Sequence, residues 1–335
     1  MLPGTNEWLG QVVEDIVDPG TPIVDPHHHL WPDGGRTAYG LDDLVADTGS
    51  GHHIVATVFV ECRAAARPDG PDHLRPVGET EFVAASADRL TNEHPGAPPI
   101  AGIVANADLA LPGDALAEVL DAHAAAAGGR FVGIRDALCR ALEPDALTIA
   151  GRYAEEKYLD PAFRAGVAEL GRRGLTYDSW HYHHQNPEML ALARAVPGTT
   201  MVLDHFGTPL GVGMYADRRD EIFREWAVGV TELASCPNVV AKLGGLAMPD
   251  NGFGWHERDR PPTSDEFVAA QARYYHHTIE AFGPERCMFE SNFPVDRFSL
   301  SYPVLWNGLK KIAAGYTADE RAAMFEGTAR RIYGL

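Results

Sequence analysis

Asp25 and three consecutive histidines, His27, His28 and His29, stand together in the stretch Thr21-Pro-Ile-Val-Asp-Pro-His-His-His-Leu-Trp31. The apolar pair Ile23 and Val24 leads into them, so the stretch reads as a strand over 23–29 that ends in imidazoles. A period of two points His27 and His29 to one face and His28 to the other. Two imidazoles so placed can converge on one metal ion or on an anionic substrate, with His28 in a core or supporting role. The pattern recurs down the chain. Apolar runs end in Glu61, in Arg135, in Asp178 followed by His183 and Gln185, in His205, in Lys242, and in Glu290 and Asn292 with Asp296 just beyond. Packing gives no reason to end most strands in ionisable groups, and unpartnered buried charge is costly. Their convergence on one active site is the reading that accounts for them.

The elements that must carry these residues alternate. Strands are expected at 23–29, 53–62, 100–108, 131–137, 175–180, 200–207, 239–245 and 286–292. Helices are expected at 80–94, 114–127, 160–173, 187–195, 217–235, 264–282 and 302–333. The second run, His53-Ile-Val-Ala-Thr-Val-Phe-Val, is nearly unbroken and β-branched, as suits a strand buried on both faces of a parallel sheet. Asp160 and Pro161 fit the N-cap and first position of a helix. Eight strand–helix alternations with no break in composition predict a closed (β/α)8 TIM barrel over residues 21–335, working at the C-terminal ends of its strands. An open doubly wound sheet lacks support, since no Gly-x-Gly-x-x-Gly follows the first strand. Residues 1–20 read as a leader whose Trp8, Leu9, Val12, Val13 and Ile16 pack a short helix on the barrel's outside. Residues 32–35 form a turn cluster, 36–50 a polar loop or short helix, and the Pro- and Gly-rich loops 64–79 and 248–264 are expected to cover the mouth.

The 335 residues carry a net charge of −19. That argues against nucleic acid and anionic membranes as partners, though not against a small, locally held anion such as a substrate carboxylate. The four cysteines, Cys62, Cys139, Cys236 and Cys287, are too far apart for a zinc ribbon or a disulfide scaffold and read as reduced core thiols. With no signal-like start and no spanning apolar run, a cytoplasmic protein is expected.

Four motifs, in order and at barrel spacing, carry a resemblance. Asp25-x-His27-x-His29 with Leu30-Trp31, Asp204-His-Phe-Gly207, Lys242-Leu-Gly-Gly245 and Phe289-Glu-Ser-Asn-Phe-Pro294 resemble the amidohydrolase superfamily. The likeness is to its amidohydrolase-2 branch, and within that to the sugar lactonase and pyrone-dicarboxylate lactonase group. The resemblance implies a hydrolase that opens a lactone or similar cyclic ester with an activated water. In that reading His27, His29, His205 and Lys242 stabilise the oxyanion, and Arg135 or His183 holds a substrate carboxylate or hydroxyl, with Asp178, Gln185 and Glu61 beside them. Barrels of this kind frequently form dimers, so a homodimer is an expected assembly.

One departure bears on mechanism. The family pattern has Asp on the eighth strand, a metal ligand or proton acceptor, where this chain has Asn292, which cannot serve as a general base. Glu290, which shares strand parity with Asn292, or Asp296 on the following loop would then accept the proton. His27, His29 and His205 could hold one divalent ion, Zn²⁺ or Mn²⁺, while the resembled lactonases are often metal-free, and both remain open. Two alternative functions follow: a metal-dependent non-oxidative decarboxylase of an aromatic or enol acid, which needs no attacking water, and a degenerate barrel that only binds. Lys242 reads equally as an ion pair with Glu61 or Asp178, and Asp178 equally as a holder of a site histidine. His181, His184, His276 and His277 are expected on helix or loop surfaces, and Glu257–Arg260 on a solvated loop.

Overall fold

The computed structural model describes residues 2–32, 38–151 and 156–335. Its sheet has eight strands in sequential order: β1 (Pro22–His28), β2 (His53–Val60), β3 (Ile100–Ala105), β4 (Phe131–Arg135), β5 (Thr176–Ser179), β6 (Met201–Leu203), β7 (Val239–Leu243) and β8 (Cys287–Phe289). Every neighbouring pair is parallel. Closure runs through the segment after β8. His29 N donates to Phe293 O at 2.8 Å and Asn292 N to His27 O at 3.0 Å, so the two ends of the sheet meet at the strand tips that carry the histidines. Asp25 reinforces the seam by accepting from Ser291 N at 3.0 Å and from the Tyr302 hydroxyl at 2.9 Å. Burial without a cation beside it raises the Asp25 carboxyl to about 6.

Helices fill the connections, as parallel strands require. They include Val77–Glu93, Gly113–Ala126, Pro161–Arg172, Asn186–Ala195, Arg219–Ala234, Ser264–Phe282 and Tyr302–Ala313. Asp160 caps the third of these by accepting from Ala162 N at 2.8 Å, with Pro161 in the first turn. The strands bury both faces. Val24, Val58, Val60, Val104, Val202 and Met288 form one apolar cluster with Tyr333 of the final helix Thr328–Tyr333. Ile23, Phe59, Ile103 and Leu203 pack in a second with residues of the surrounding helices.

Several boundaries move. The first long helix begins at Val77 rather than 80, and the helices expected over 302–333 are Tyr302–Ala313, Ala318–Ala322 and Thr328–Tyr333, the last two joined by a π-turn over Ala323–Gly327. Between Gly10 and Thr21 the leader is irregular, after a single short helix, Asn6–Leu9. Trp8 and Leu9 are buried, with the Trp8 indole donating to Arg258 O at 3.2 Å, but Val13 is exposed. Of the stretch after β1, the turn at 33–35 lies outside the described residues, and Leu41–Thr48 is a short helix. Among the described residues no helix is long and apolar enough to cross a membrane.

Candidate active site

Beneath the C-terminal mouth lies a buried lattice of charge. Lys242 Nζ sits 2.8 Å from Asp178 Oδ2 and 3.2 Å from Asp204 Oδ1, with all three side chains out of solvent. Arg135 Nε donates to Glu61 Oε1 at 2.8 Å, its Nη2 to the Glu61 carbonyl, and its Nη1 to Asp204 Oδ2 at 3.4 Å. Tyr333 OH adds a bond to Asp178 Oδ2 at 2.6 Å and Thr176 Oγ1 one to Asp178 Oδ1 at 2.9 Å. Burial works against charge at every one of these groups, and the partners decide the outcome. For Lys242 and Arg135 the neighbouring carboxylates outweigh burial and hold both cations charged. For Asp204, Lys242, His205 and Arg135 together outweigh it and keep the carboxyl below its usual range. Burial wins at Asp178, whose carboxyl is raised. Four carboxylates, Glu61, Asp178, Asp204 and Glu290, thus surround two cations and three histidine rings.

The histidines stand on this lattice. His27 Nδ1 is 2.8 Å from Glu290 Oε2, and its Nε2 is 3.3 Å from Arg135 Nη1. A guanidinium only donates, which makes Nε2 the acceptor there, while Nδ1 stands between the Glu290 carboxylate and Lys242 Nζ, the latter at 3.3 Å. Burial, with Lys242, His205, His29 and Arg135 adding to it, depresses His27 well below the usual imidazole range, so the ring is neutral. His29 Nδ1 lies 2.8 Å from Val60 O, an acceptor, so its proton is on Nδ1 and the Nε2 lone pair is left for the mouth. Burial and Arg135 depress this imidazole too.

His205 Nδ1 lies 2.6 Å from Glu290 Oε1, which turns the Nε2 edge outward. Local backbone makes this pair possible. The chain leaves β6 through left-handed residues, His205 (φ 52°) and Phe206 (φ 59°), a conformation uncommon outside glycine. Two glycines clear the space. A Cβ on Gly245 would stand 2.3 Å from His205 Nδ1, and one on Gly244 would stand 2.4 Å from Glu290 Cγ. The Gly-Gly of Lys242-Leu-Gly-Gly245 is therefore room for the dyad.

Above the lattice opens a cavity of about 660 Å³ whose polar floor is His29, Glu61, Arg135, His205 and Asn292. Asn292 donates from Nδ2 to Asp296 Oδ1 at 2.9 Å, leaving its carbonyl oxygen for the cavity. Asp296 itself is buried behind it, and burial raises its carboxyl to about 7.

Other expected site residues lie elsewhere. Lys242 and Asp178 are under the floor as an ion pair, one of the two readings open for Lys242, and Asp178 holds the lysine and Tyr333 where a site histidine was one expectation. His183 and Gln185 do not line the cavity. Gln185 accepts from Arg140 N at 2.9 Å and donates to Leu138 O at 2.9 Å, which ties down the loop after β4. His183 packs on Tyr215, accepts from Leu210 N at 3.3 Å, and is lowered to about 4 by burial. His181, expected at the surface, is fully buried, bonded to Ser179 Oγ at 2.9 Å and Asn186 Oδ1 at 3.0 Å. His28 is buried against Phe59, its nitrogens without partners. Asp204 was missed as a site residue although it opens the Asp204-His-Phe-Gly207 motif. The cavity walls, Trp31, Cys139, Ile149, Trp180, Met248 and Val295, come mainly from loops that sequence periodicity does not describe.

Among the described residues, one group of donors could hold a metal ion: His27, Asp204 and His205, with ligand atoms within 4.8 Å of one another. That group differs from the expected set of His27, His29 and His205 in having Asp204 in place of His29. Two imidazoles and a carboxylate suit Zn²⁺ or a similar divalent ion. The charge suits it as well, because the lattice is anionic by two when its four carboxylates are ionised and its imidazoles neutral. The residues present therefore fit a divalent cation.

The amidohydrolase family model matches residues 24–335. An uncharacterised protein of Sinorhizobium fredii is 32% identical over 334 residues, covering 93% of this chain and 98% of its own. An L-fucono-1,5-lactonase of Burkholderia multivorans is 33% identical over 178 residues, covering 52% of this chain and 57% of that protein. Among solved structures, a zinc-bound amidohydrolase of Burkholderia multivorans superposes with a TM-score of 0.71 at 26% identity, covering 93% of this chain and 99% of that one. The barrel, the histidine pair at the tip of β1 and a family match over nearly the whole chain agree: this protein is a hydrolase that belongs to the amidohydrolase family.

Proposed function

We propose that this hydrolase opens a lactone or similar cyclic ester, with His205 as the general base. The observation that carries the reading is the 2.6 Å contact between His205 Nδ1 and Glu290 Oε1, beside a floor where Asn292 cannot take a proton. A buried carboxylate on Nδ1 fixes the tautomer, leaves Nε2 basic and stabilises the imidazolium that forms. Water between His205 Nε2 and the Asn292 carbonyl oxygen attacks the acyl carbon while His205 takes its proton. The acyl carbon–ring oxygen bond then breaks, and the proton on His205 passes to the departing alkoxide, leaving a hydroxy acid.

Arg135 supplies the oxyanion contact. Its Nε–H and one Nη2–H go to Glu61, and its two Nη1–H face Asp204 and His27. One Nη2–H is left for the cavity, preorganised for a developing negative charge. His29 Nε2, an acceptor, orients the water rather than the oxyanion, and Asp296 positions Asn292. His27 and Lys242 act from beneath by holding Glu290 and Asp204 in place. A divalent ion held by His27, Asp204 and His205 would draw on the same His205 lone pair, so in that state the ion would supply the acidification of water in place of the imidazole base and would polarise the acyl oxygen.

The sequence replaces the usual Phe-Gly-Ser-Asp by Phe-Glu-Ser-Asn, so the carboxylate lost at 292 is regained at 290, two residues deeper. Swapping it back tests the reading. Lactone hydrolysis should be lost in Glu290→Gly and return in part in Glu290→Gly/Asn292→Asp. Undiminished turnover by His205→Ala would sink the proposal.

A further inference from the structure

We propose that Trp180 is a positioning residue for the reaction: its ring seats the Arg135 guanidinium, and its indole N–H, through Thr208, holds the turn that carries His205. The proposal rests on the hydrolase reading above, which gives Arg135 and His205 their roles, and concerns what keeps the two in place.

The turn has to be held. His205, Phe206, Gly207 and Thr208 have φ of 52°, 59°, 66° and 39°, successive residues in the left-handed region. Of these, Gly207 alone adopts it without the clash of a Cβ. Such backbone persists where its surroundings over-determine it. One link is internal, Thr208 N to His205 O at 2.8 Å. Two indoles from separate elements grip the turn from outside. Trp226, on the helix Arg219–Ala234, donates to Phe206 O at 2.6 Å, and Trp180 Nε1 donates to Thr208 Oγ1 at 3.2 Å. The buried Thr208 also accepts through its carbonyl from His183 N at 3.3 Å, so the segment after β5 fastens this end of the turn at two atoms.

Trp226 is a core residue, packed against Phe206, Phe223 and Tyr274. Trp180 is not. It is half-buried and stands on the cavity wall. The carbon of the Arg135 guanidinium lies 5.7 Å from the centre of its ring, within the range of a cation–π contact. Its backbone adds a third link, because Trp180 O accepts from Leu138 N at 3.1 Å, just beyond Arg135 in the segment that leaves β4. One side chain therefore meets the arginine of the oxyanion contact on its face and the turn of the general base at its N–H. A displacement of the indole shifts both groups, and a misplacement of about 1 Å can cost on the order of 10²-fold in rate.

The test separates the hydrogen bond from the wall. Trp180→Phe keeps a ring beside Arg135 and deletes the N–H, Thr208→Val deletes the acceptor, and Thr208→Ser keeps it. On an accepted lactone, kcat should fall about ten- to hundredfold in Trp180→Phe and in Thr208→Val, with KM within about twofold of the parent. The double variant should fall no further, and Thr208→Ser should stay near the parent. In parallel, heteronuclear NMR of histidine-labelled protein follows the proton between His205 Nδ1 and Glu290, identified by its loss in His205→Ala, and needs no turnover. That signal should move in Trp180→Phe and Thr208→Val and hold its place in Thr208→Ser. Should Thr208→Val fail to fold, Trp180→Phe against Thr208→Ser carries both readouts. A change in KM alone, losses that multiply in the double variant, or an unmoved signal would overturn the proposal and leave the hydrolase reading standing. If the parent opens no lactone, the lactonase reading fails and the signal decides the rest: moved in Trp180→Phe and kept in Thr208→Ser, the positioning stands, and unmoved, it falls too.

Discussion

His205 and Glu290 lie 85 residues apart and meet at 2.6 Å, one from the turn after β6 and the other from the end of β8. The second oxygen of Glu290 lies 2.8 Å from His27 Nδ1, so one carboxylate stands against two site histidines and hydrogen-bonds one of them, His205. Glu290→Gln keeps the shape and removes the charge. The expected outcome is a fall in kcat of about 10²- to 10⁴-fold with KM nearly unchanged. Steady-state kinetics on an accepted lactone checks it, and a change confined to KM would assign Glu290 to ground-state binding instead.

The barrel was legible because its strands are local. Runs such as Ile54–Val60 declare burial by composition, and Asp160-Pro161 declares a helix start. The charged strand tips were legible too, as polar residues where an apolar run stops. What those tips do was not, because it depends on pairings across the barrel. Lys242 meets Asp178 and Asp204, and Arg135 meets Glu61, only once the sheet closes. Strand parity put Glu290 on the site side and one layer deeper, but could not say that two glycines of β7's tail make room for it. His183 and Gln185 misled for a related reason: the chain after β5 turns into a short 3-10 helix, His183–Gln185, and side-chain direction in such a turn follows no period.

Lys242 lies wholly inside this lattice, so replacing it is a stability experiment first. Lys242→Met would leave Asp178 and Asp204 buried without their cation, a loss that typically costs about 3–5 kcal/mol. Urea denaturation should show the midpoint falling accordingly, and Lys242→Met/Asp178→Asn should recover part of the loss by removing one stranded carboxylate. A variant of unchanged stability whose only defect is in kcat would move Lys242 from the foundation to the reacting carbonyl.

Glu79, on the helix Val77–Glu93, is buried and accepts through one oxygen from Cys62 N at 3.1 Å and Ala64 N at 2.7 Å, which holds the strand tip that bears Glu61. Burial, with the Glu61 charge adding to it, raises its carboxyl from 4.5 to about 8. The folded state therefore holds a proton that the unfolded chain has released. Stability contributed by this group is full below pH 4.5, is lost as pH rises toward about 8, and changes no further above it. Glu79→Gln keeps the acceptor oxygen without the titration. The difference in Tm, variant minus wild type, should rise between pH 5 and pH 8 by roughly several degrees. A flat difference across that window would mean that Glu79 titrates normally.

Metal binding separates the donor set found here from the one that strand parity implied. Purified protein stripped with chelator and titrated with Zn²⁺ should take up one ion per chain, since His27, Asp204 and His205 bring their donors within 4.8 Å. Asp204→Asn removes the anionic ligand, while Lys242 and Arg135 remain beside it at 3.2 and 3.4 Å, so this variant should lose affinity by tenfold or more. His29→Ala should bind nearly as well as the parent, because its ring stands outside the donor group. Calorimetric titration reads both variants without reference to activity. The reverse order, with His29→Ala the weaker binder, would restore the His27, His29 and His205 set and return Asp204 to a purely electrostatic role.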